Sequence, residues 1–367
     1  MLLRNGIVYG PDGVFRKGNV AISNGVFSDT PEPSDTFDAE GLYLIPGLTD
    51  IHFHGCMGHD FCEGTEPAFR ALADYEASVG VTSICPATMS LPESKLLDIA
   101  KAARNFDGIR GIHLEGPFIS EKKKGAQNPA HIVKPDIDMF ERINSASGGL
   151  IKIVSLAPEL DGAMDFITRE SKKTVISIAH TACGYDTAKE AFERGARHVT
   201  HLYNAMPPIG HREPGPIIAA AERNDADVEL ICDGVHIHPA VVRHTLRVFG
   251  PERVIFISDS MEATGMPDGR YELGGLPVTK KGRRAELNDG TIAGSVANLM
   301  DCVRTAVTEM GVPLETAVRC AAVNPARSVG IYDSCGSIEA GKAANLVALN
   351  AALDVIMVIR NGRVLKH

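Results

Sequence analysis

The pattern of apolar and polar positions divides the chain into two strand-rich ends and a middle in which strand and helix patterns alternate. Near each terminus, short apolar runs are separated by Gly, Asn and Asp, which is typical of strands joined by tight turns. Pro31, Pro33 and Ser34 indicate a loop in the first of these regions. The same pattern of short apolar runs and turn residues at both ends predicts one small β-domain built from the two termini. The terminal runs are 2–9, 19–23, 344–349 and 355–365.

The middle of the chain repeats a short apolar run followed by a segment with apolar residues at helical spacing, such as Ala188, Ala191 and Phe192. Eight such units in succession predict an α/β fold, specifically a (β/α)8 TIM-like barrel. Turn signals in 270–294, among them Asp289 and Gly290, predict a β-hairpin inserted after the eighth run. The eight runs are 47–53, 82–85, 110–114, 151–156, 174–179, 196–200, 228–232 and 253–258.

These patterns predict two domains. Residues 1–47 and 338–367 are expected to form a small β-sandwich domain, and residues 48–337 the barrel with the hairpin insertion near 270–294. With 367 residues and 44% hydrophobic composition, the chain is long enough to bury a large core.

Composition excludes some classes of partner. A net charge of −9 disfavours general binding to nucleic acid or to an anionic membrane surface, since both favour a basic face. We find no apolar run of about 18 residues, so no membrane-spanning helix is expected. The eight cysteines show no CxxC pairs, which favours reduced thiols and a cytoplasmic location. There is no Gly-rich nucleotide-binding motif.

His52 and His54 lie one residue apart at the end of the first run. Alternate residues of a strand point to the same face, so the two imidazoles are expected to project together. Two neutral imidazoles aimed at one point suit a divalent cation. Taken alone, this pair is equally compatible with two hydrogen-bonded core histidines.

Most of the other runs also end in histidine or carboxylate side chains, at the end of the strands where barrel enzymes carry their chemistry. A single histidine there is usually structural, and an aspartate is often a helix cap. A shared metal site explains them together, because metal-assisted hydrolysis needs several ligands and a base. Asp259 is the natural general base, and the set suits hydrolysis of an amide C–N bond. The residues are His113, Glu115, His180, His201, Asp233, His236 and Asp259.

At these residues the chain resembles the amidohydrolase superfamily, and within it the N-acetylglucosamine-6-phosphate deacetylases. The resemblance extends nearly end to end. Its narrowest motifs are THLYNAMP at 200–207 and REPG at 212–215. Further motifs are PGLTDIHFHG at 46–55, HLEGPFI at 113–119, DGVH at 233–236, SDS at 258–260, DGTIAGS at 289–295, NPA at 324–326 and GSIEAGKAANLV at 336–347.

The resemblance implies metal-dependent hydrolysis of the N-acetyl group of N-acetylglucosamine-6-phosphate, giving glucosamine-6-phosphate and acetate. It implies one or two divalent ions per subunit, and the ligand chemistry leaves Zn, Fe, Mn and Co open. Asp259 is implied to be a metal ligand and the catalytic base and acid. Of the other implied ligands, Glu115, His180 and His201 hold the main ion, and His52 and His54 hold a second, with Glu115 bridging.

The resemblance also implies how the sugar phosphate is bound. The implied substrate-binding residues are Gln127, Asn204, Ala205, Arg212, His236 and Ile292. Arg212 is implied to reach the phosphate in the neighbouring protomer's site, which makes the expected assembly a homodimer. Gln127 stands where many relatives have a histidine, and Asn345 replaces the usual aspartate of the tail motif. No lysine ends the fourth run, so a carboxylated-lysine bridge is not expected.

Alternatives are open at this level. The substrate could be another N-acyl amino sugar phosphate, such as N-acetylgalactosamine-6-phosphate, or the protein could be a dipeptidase or a deaminase. A non-catalytic scaffold is disfavoured because every implied metal ligand is present. The lysines at 122–124 fit either a phosphate contact or, more simply, a solvated loop tip.

Overall fold

The computed structural model of the protein describes residues 1–30 and 35–366, so the loop predicted at Pro31, Pro33 and Ser34 lies outside the described residues. Within them, strands from both ends of the chain pair in one eight-stranded sheet. Its apolar face buries a cluster that includes Leu3, Leu44 and Ile359. In spatial order its strands are Arg363–Lys366, Val355–Arg360, Leu346–Leu349, Tyr43–Pro46, Leu2–Tyr9, Phe15–Ser23 and Val26–Ser28, with Thr36–Asp38 beside Leu2–Tyr9.

The middle of the chain is an α/β unit with parallel strands, as its sequence pattern predicts. These strands are almost entirely buried, which is typical of parallel strands covered on both faces. One sheet has the strands Ile112–Glu115, Ile151–Leu156, Val175–Ile178, His198–Val199, Asp227–Ile231 and Val254–Ile257, and a second has Leu48–Asp50 and Val81–Ile84.

Backbone hydrogen bonds join the two parallel sheets at both edges. The N–H of Thr88 donates to the carbonyl of His113 at 3.0 Å, and the N–H of Asp259 donates to the carbonyl of His52 at 2.9 Å. The carboxyl ends of the eighth, first, second and third strands are therefore held side by side. This brings the polar residues that follow those strands into one region.

Helices alternate with the parallel strands and bury one apolar face each, for example Phe69 and Leu72 of the first helix. Side chains cap several N-termini: Thr65 accepts from the N–H of Ala68, and Asp136 from that of Met139. The α-helices are Glu66–Ser78, Glu93–Arg104, Ile137–Ala146, Ala163–Glu170, Tyr185–Glu193, Gly215–Ala221, Pro239–Phe249, Leu299–Thr308, Leu314–Val318 and Asn324–Ser328. Shorter turns are Phe61–Glu63, Glu121–Lys123 and Pro129–His131, with a π-helical turn at Arg319–Val323.

The stretch predicted to form hairpins is a three-stranded antiparallel sheet of Gly269–Leu273, Leu276–Lys281 and Arg284–Leu287. Its buried face packs with Met89 and Ala126, which lie on loops that follow parallel strands. It therefore forms one wall of the region above those strand ends. A small hairpin of Gly55–Cys56 and His59–Asp60 lies at the same end of the molecule. Among the described residues, no helix is both long enough and apolar enough to cross a bilayer.

The first parallel strand is shorter than predicted. It ends at Asp50, so His52 and His54 follow the strand rather than lying in it. The carboxylate of Asp50 accepts a hydrogen bond from the N–H of His52 at 3.1 Å, which turns the backbone out of the sheet. The two imidazoles still face the same region, but a loop and not strand alternation brings them there.

Candidate metal centre

Four imidazoles converge on the carboxylate of Glu115, which is 2% exposed. Nε2 of His201, His180 and His52 lies 3.0, 3.2 and 3.3 Å from one oxygen of Glu115. Nε2 of His54 lies 3.5 Å from the other oxygen. Residues from the ends of four different parallel strands thus meet at one point.

The backbone is strained at two of these strand ends and at the end of the strand Val254–Ile257. His180, His201 and Asp259 have positive φ angles of 42°, 30° and 49°. Residues other than glycine seldom adopt this conformation, and it persists where the surrounding structure enforces it. Here it turns each side chain from the strand end into the common region.

Hydrogen bonds at Nδ1 fix the tautomers of two of the histidines. His52 donates from Nδ1 to the carboxylate of Glu229 at 2.8 Å. His180 donates from Nδ1 to the carbonyl of Lys123 at 2.8 Å. In the neutral imidazole that metal binding requires, Nε2 then carries the lone pair that faces Glu115.

The donor set fits a divalent cation. One oxygen of Glu115 and Nε2 of His180 and His201 form a triangle with sides of 3.0, 3.1 and 3.2 Å. Donor atoms around a tetrahedral cation such as zinc lie about 3.3 Å apart. His52, His54 and Asp259 form a second group, with donor atoms within 4.8 Å of one another. Nε2 of His52 is buried and has no hydrogen-bond partner among the described residues, as suits a metal ligand.

The electrostatics keep both carboxylates of the site ionised. Burial raises the pKa of Glu115, but the imidazoles of His52, His180 and His201, in their protonated form, outweigh it and hold that pKa well below its usual range. Burial also raises the pKa of Asp259, and the neighbouring imidazoles, His54 first, bring it below its usual value. Ionised carboxylates are what cation binding and proton acceptance both require.

Asp259 differs from Glu115 in its access to open space. Its Oδ1 lies 3.3 Å from Nε2 of His54 and 3.7 Å from Nε2 of His52, and the residue borders the cavity above the histidines. A group in this place can reach both the candidate metal ligands and a bound molecule.

That cavity, of about 340 Å³, is large enough for a small molecule. The structure places Gln127, Asn204, Ala205, His236 and Ile292 in its wall, together with Lys122 and Lys123. Arg212 is not in the wall of this cavity but is exposed on the surface. Five of the six expected substrate-binding residues therefore border one cavity, and the sixth does not.

Two of these residues have specific partners. The amide of Gln127 donates from Nε2 to Glu115 at 2.6 Å and accepts from the N–H of Ser90 at 2.7 Å. His236 donates from Nδ1 to the buried carboxylate of Asp233 at 2.8 Å. Gln127 is therefore attached to the candidate metal centre, while His236 presents Nε2.

Sequence reasoning treated His113 as a strand-end polar residue and missed Glu229. His113 lies behind the centre, with Nε2 bonded to the hydroxyl of Ser155 at 2.7 Å. Burial raises the pKa of Glu229, but the His52 imidazole and its neighbours lower it to about 2. The one sequence signal for Glu229 is a carboxylate inside the run 228–232, whose other residues are apolar.

Comparison with known proteins assigns the chain to a family. It is 34% identical to N-acetylglucosamine-6-phosphate deacetylase of Bacillus subtilis (strain 168), over 99% of this chain and 96% of that protein. It is 33% identical to N-acetylgalactosamine-6-phosphate deacetylase of Escherichia coli O157:H7, over 91% of each. A solved structure of a variant of N-acetyl-D-glucosamine-6-phosphate deacetylase from Mycobacterium smegmatis, in complex with N-acetyl-D-glucosamine-6-phosphate, matches with a TM-score of 0.95 and 34% identity, covering 100% of this chain and 99% of that one. Residues 43–365 match the amidohydrolase family, and the chain therefore belongs to that family.

Proposed function

We propose that the protein is a metal-dependent deacetylase that hydrolyses the N-acetyl group of N-acetylglucosamine-6-phosphate to glucosamine-6-phosphate and acetate. The observation that carries the proposal is the convergence of four imidazole Nε2 atoms on Glu115. Asp259 contacts two of these imidazoles and borders the cavity. Near full-length similarity to enzymes named for this reaction supports the substrate.

We propose that Glu115, His180 and His201 hold one divalent ion, and that His52 and His54 hold a second with Glu115 between the two. A bound cation would polarise the amide carbonyl and lower the pKa of an attacking water. Which of Zn, Fe, Mn and Co is used depends on availability more than on this donor set.

Asp259 is proposed to supply the proton transfers. Its ionised carboxylate accepts a proton from the attacking water and returns it to the leaving amine. The lowered pKa keeps the Asp259 carboxylate ionised and so able to accept a proton, and the neighbouring imidazoles hold the carboxylate in place. His236, fixed by Asp233, offers Nε2 to the substrate from another part of the cavity wall.

The phosphate is proposed to lie near Asn204 and Ala205, which border the cavity. Arg212 is proposed to bind it from the neighbouring protomer of a homodimer, because this exposed residue does not border the cavity of its own chain. An arginine can form two hydrogen bonds with a phosphate. The alternative partner within the chain is the pair Lys122 and Lys123 in the cavity wall.

At the level of architecture, we propose that the two parallel sheets form one closed (β/α)8 barrel at 48–337. The hydrogen bonds that join their edges support this closure. We propose that residues 1–47 and 338–367 form a separate β-sandwich domain, supported by the sheet that both termini share. We infer a cytoplasmic location, since the eight cysteines are free thiols.

The test is acetate release from a panel of N-acetyl sugars with and without the 6-phosphate. We expect turnover of N-acetylglucosamine-6-phosphate and little turnover of the unphosphorylated sugar. A second candidate, N-acetylgalactosamine-6-phosphate, rests on the similarity to the Escherichia coli enzyme named for it, so both epimers belong in the panel. Dialysis against a chelator should abolish acetate release and added Zn, Mn, Fe or Co should restore it. Full activity after complete removal of divalent ions would refute the proposal.

A further inference from the structure

Glu229 lies beneath the candidate metal centre and is fully buried. One of its oxygens accepts two hydrogen bonds, from Nδ1 of His52 at 2.8 Å and from the backbone N–H of His201 at 3.0 Å. A single carboxylate oxygen thus fixes the side chain of one candidate ligand and the backbone of another.

A series of buried hydrogen bonds surrounds this carboxylate. The carbonyl of Ile51 determines which group donates in every bond of the series. His113 must donate from Nδ1 to the carbonyl of Ile51 at 3.1 Å, because a carbonyl can only accept. Nε2 of the neutral imidazole therefore accepts, and the hydroxyl of Ser155 donates to it at 2.7 Å. All of these groups are buried, so no solvent molecule offers an alternative partner.

The same logic continues across the barrel interior. The hydroxyl of Ser155 has given its proton to His113, so it accepts from Thr200 at 2.8 Å. Thr200 in turn accepts from Ser177 at 2.6 Å, and Ser177 accepts from Nδ1 of His198 at 2.9 Å. Every donor in this series of hydrogen bonds is therefore bound to an acceptor of the same series.

No hydrogen bond of this series goes to the carboxylate of Glu229, which therefore stays available to the candidate metal ligands. Its second oxygen lies 3.8 Å from Nδ1 of His113 and 3.7 Å from Nε2 of His198, beyond hydrogen-bond distance. The two imidazoles therefore contact this oxygen without a hydrogen bond, and the hydrogen bonds of the carboxylate go to His52 and His201.

We infer that Glu229 is a positioning residue that makes His52 a metal ligand, an inference that rests on the cation site proposed above. By accepting from Nδ1, the carboxylate leaves the lone pair of His52 on Nε2. That atom lies 3.3 Å from Glu115 and 3.7 Å from Asp259. A carboxylate behind a metal-bound histidine fixes the ring and increases its basicity.

The experiment measures cation binding without any sugar. Glu229→Gln keeps the size of the side chain and an oxygen that can accept from His52, but removes the negative charge. We expect the affinity for Zn²⁺, measured by competition with a chromogenic chelator, to fall about 10- to 100-fold for one bound ion. The matched control is Glu170→Gln, a second fully buried glutamate, paired with Lys173 at the end of its helix. We expect that variant to bind Zn²⁺ like the parent.

A measurement on the unaltered protein covers the case in which Glu229→Gln does not fold. With ¹⁵N-labelled histidine, and His52 assigned by a His52→Gln variant, the holoenzyme should show protonated Nδ1 and unprotonated Nε2 at this ring. An Nε2–H tautomer would overturn the inference, and so would unchanged Zn²⁺ affinity in a folded Glu229→Gln. Failure to deacetylate any sugar would contradict the proposed substrate and leave both of these measurements interpretable.

Discussion

Glu115 and Asp259 are both buried carboxylates among imidazoles, yet their surroundings differ in a way that suits the different roles proposed for them. Glu115 contacts four histidines and accepts a hydrogen bond from Gln127, so its oxygens are fully engaged. Asp259 contacts the histidines through Oδ1 and borders the cavity. One carboxylate is therefore placed to hold cations and the other to exchange a proton with a bound molecule.

Asp259→Asn tests this division at the residue scale. The amide has the same shape and can still donate an oxygen to a cation, but it cannot accept the proton of an attacking water. We expect kcat for acetate release to fall by about 10²- to 10⁴-fold, the range for loss of a general base. Elemental analysis and thermal unfolding should show that the cations and the fold are retained.

Asp161→Asn is the matched control, because that exposed carboxylate pairs with Lys134 and neither residue borders the cavity. Its activity should equal that of the parent. If Asp259→Asn turned over at the parent's rate, another group would have to be the base.

The sequence predicted which residue types meet at the site, but not the contacts between them. Gln127 shows this limit of prediction from the sequence. It was expected to touch the sugar, and it does border the cavity, but its amide also bonds Ser90 and Glu115. Glu229 escaped notice altogether, because a carboxylate within an apolar strand is informative only when its neighbours in space are known.

At the scale of elements, the alternation of strand and helix patterns along the chain located all eight parallel strands, while the residues at which the strands end were less predictable. Apolar residues continue beyond Asp50 and suggested a longer first strand, but a side-chain hydrogen bond to His52 ends it. Similarly, the helix Leu314–Val318 changes at Arg319 into a π-helical turn. Local hydrogen bonds and packing decide such ends, and neither leaves a periodic signal in the sequence.

The first helix, Glu66–Ser78, carries a polar residue on its buried face. Both carboxylate oxygens of Glu76 are buried without a hydrogen-bond partner among the described residues. Burial raises the pKa of Glu76 well above its usual value, and the carboxyls of Asp50 and Asp301 raise it further. Between the usual pKa and the raised one, the folded state keeps a proton that the unfolded state has lost. The free energy of unfolding therefore falls as the pH rises through this window.

Glu76→Gln should remove this dependence. We expect its Tm to exceed that of the parent by a few degrees at pH 8, where the parent carries the largest penalty, and the difference to shrink towards pH 4. Differential scanning calorimetry across this range checks the sign. Asp74→Asn, on the exposed face of the same helix, is the control and should leave the slope unchanged. A difference that grew towards low pH would contradict the assignment.

At the scale of the whole molecule, the cavity wall does not include the arginine that is expected to bind the phosphate. In the described part of the chain, its wall includes two lysines but not Arg212, which is exposed. A motif by itself shows which residue is present but not which chain's site it serves, and only the family resemblance suggested that Arg212 serves the neighbouring protomer. The proposed homodimer makes Arg212 a residue of the partner's site.

Arg212→Ala should raise KM for N-acetylglucosamine-6-phosphate by about 10- to 100-fold, the value of a hydrogen bond to a charged group, with kcat largely kept. Arg247→Ala, an exposed arginine elsewhere on the surface, should have the parent's KM.

Mixed dimers decide whether Arg212 acts across the interface. When Arg212→Ala and Asp259→Asn chains are unfolded together and refolded, each mixed dimer has one site with an intact Asp259 from the first chain and an intact Arg212 from the second. Such a site should recover the parent's low KM, although neither variant shows efficient turnover alone. If Arg212 instead served its own chain, every site in the mixture would lack one of the two residues. Mixing would then restore nothing, and Arg212 would have to be assigned to the site of its own chain.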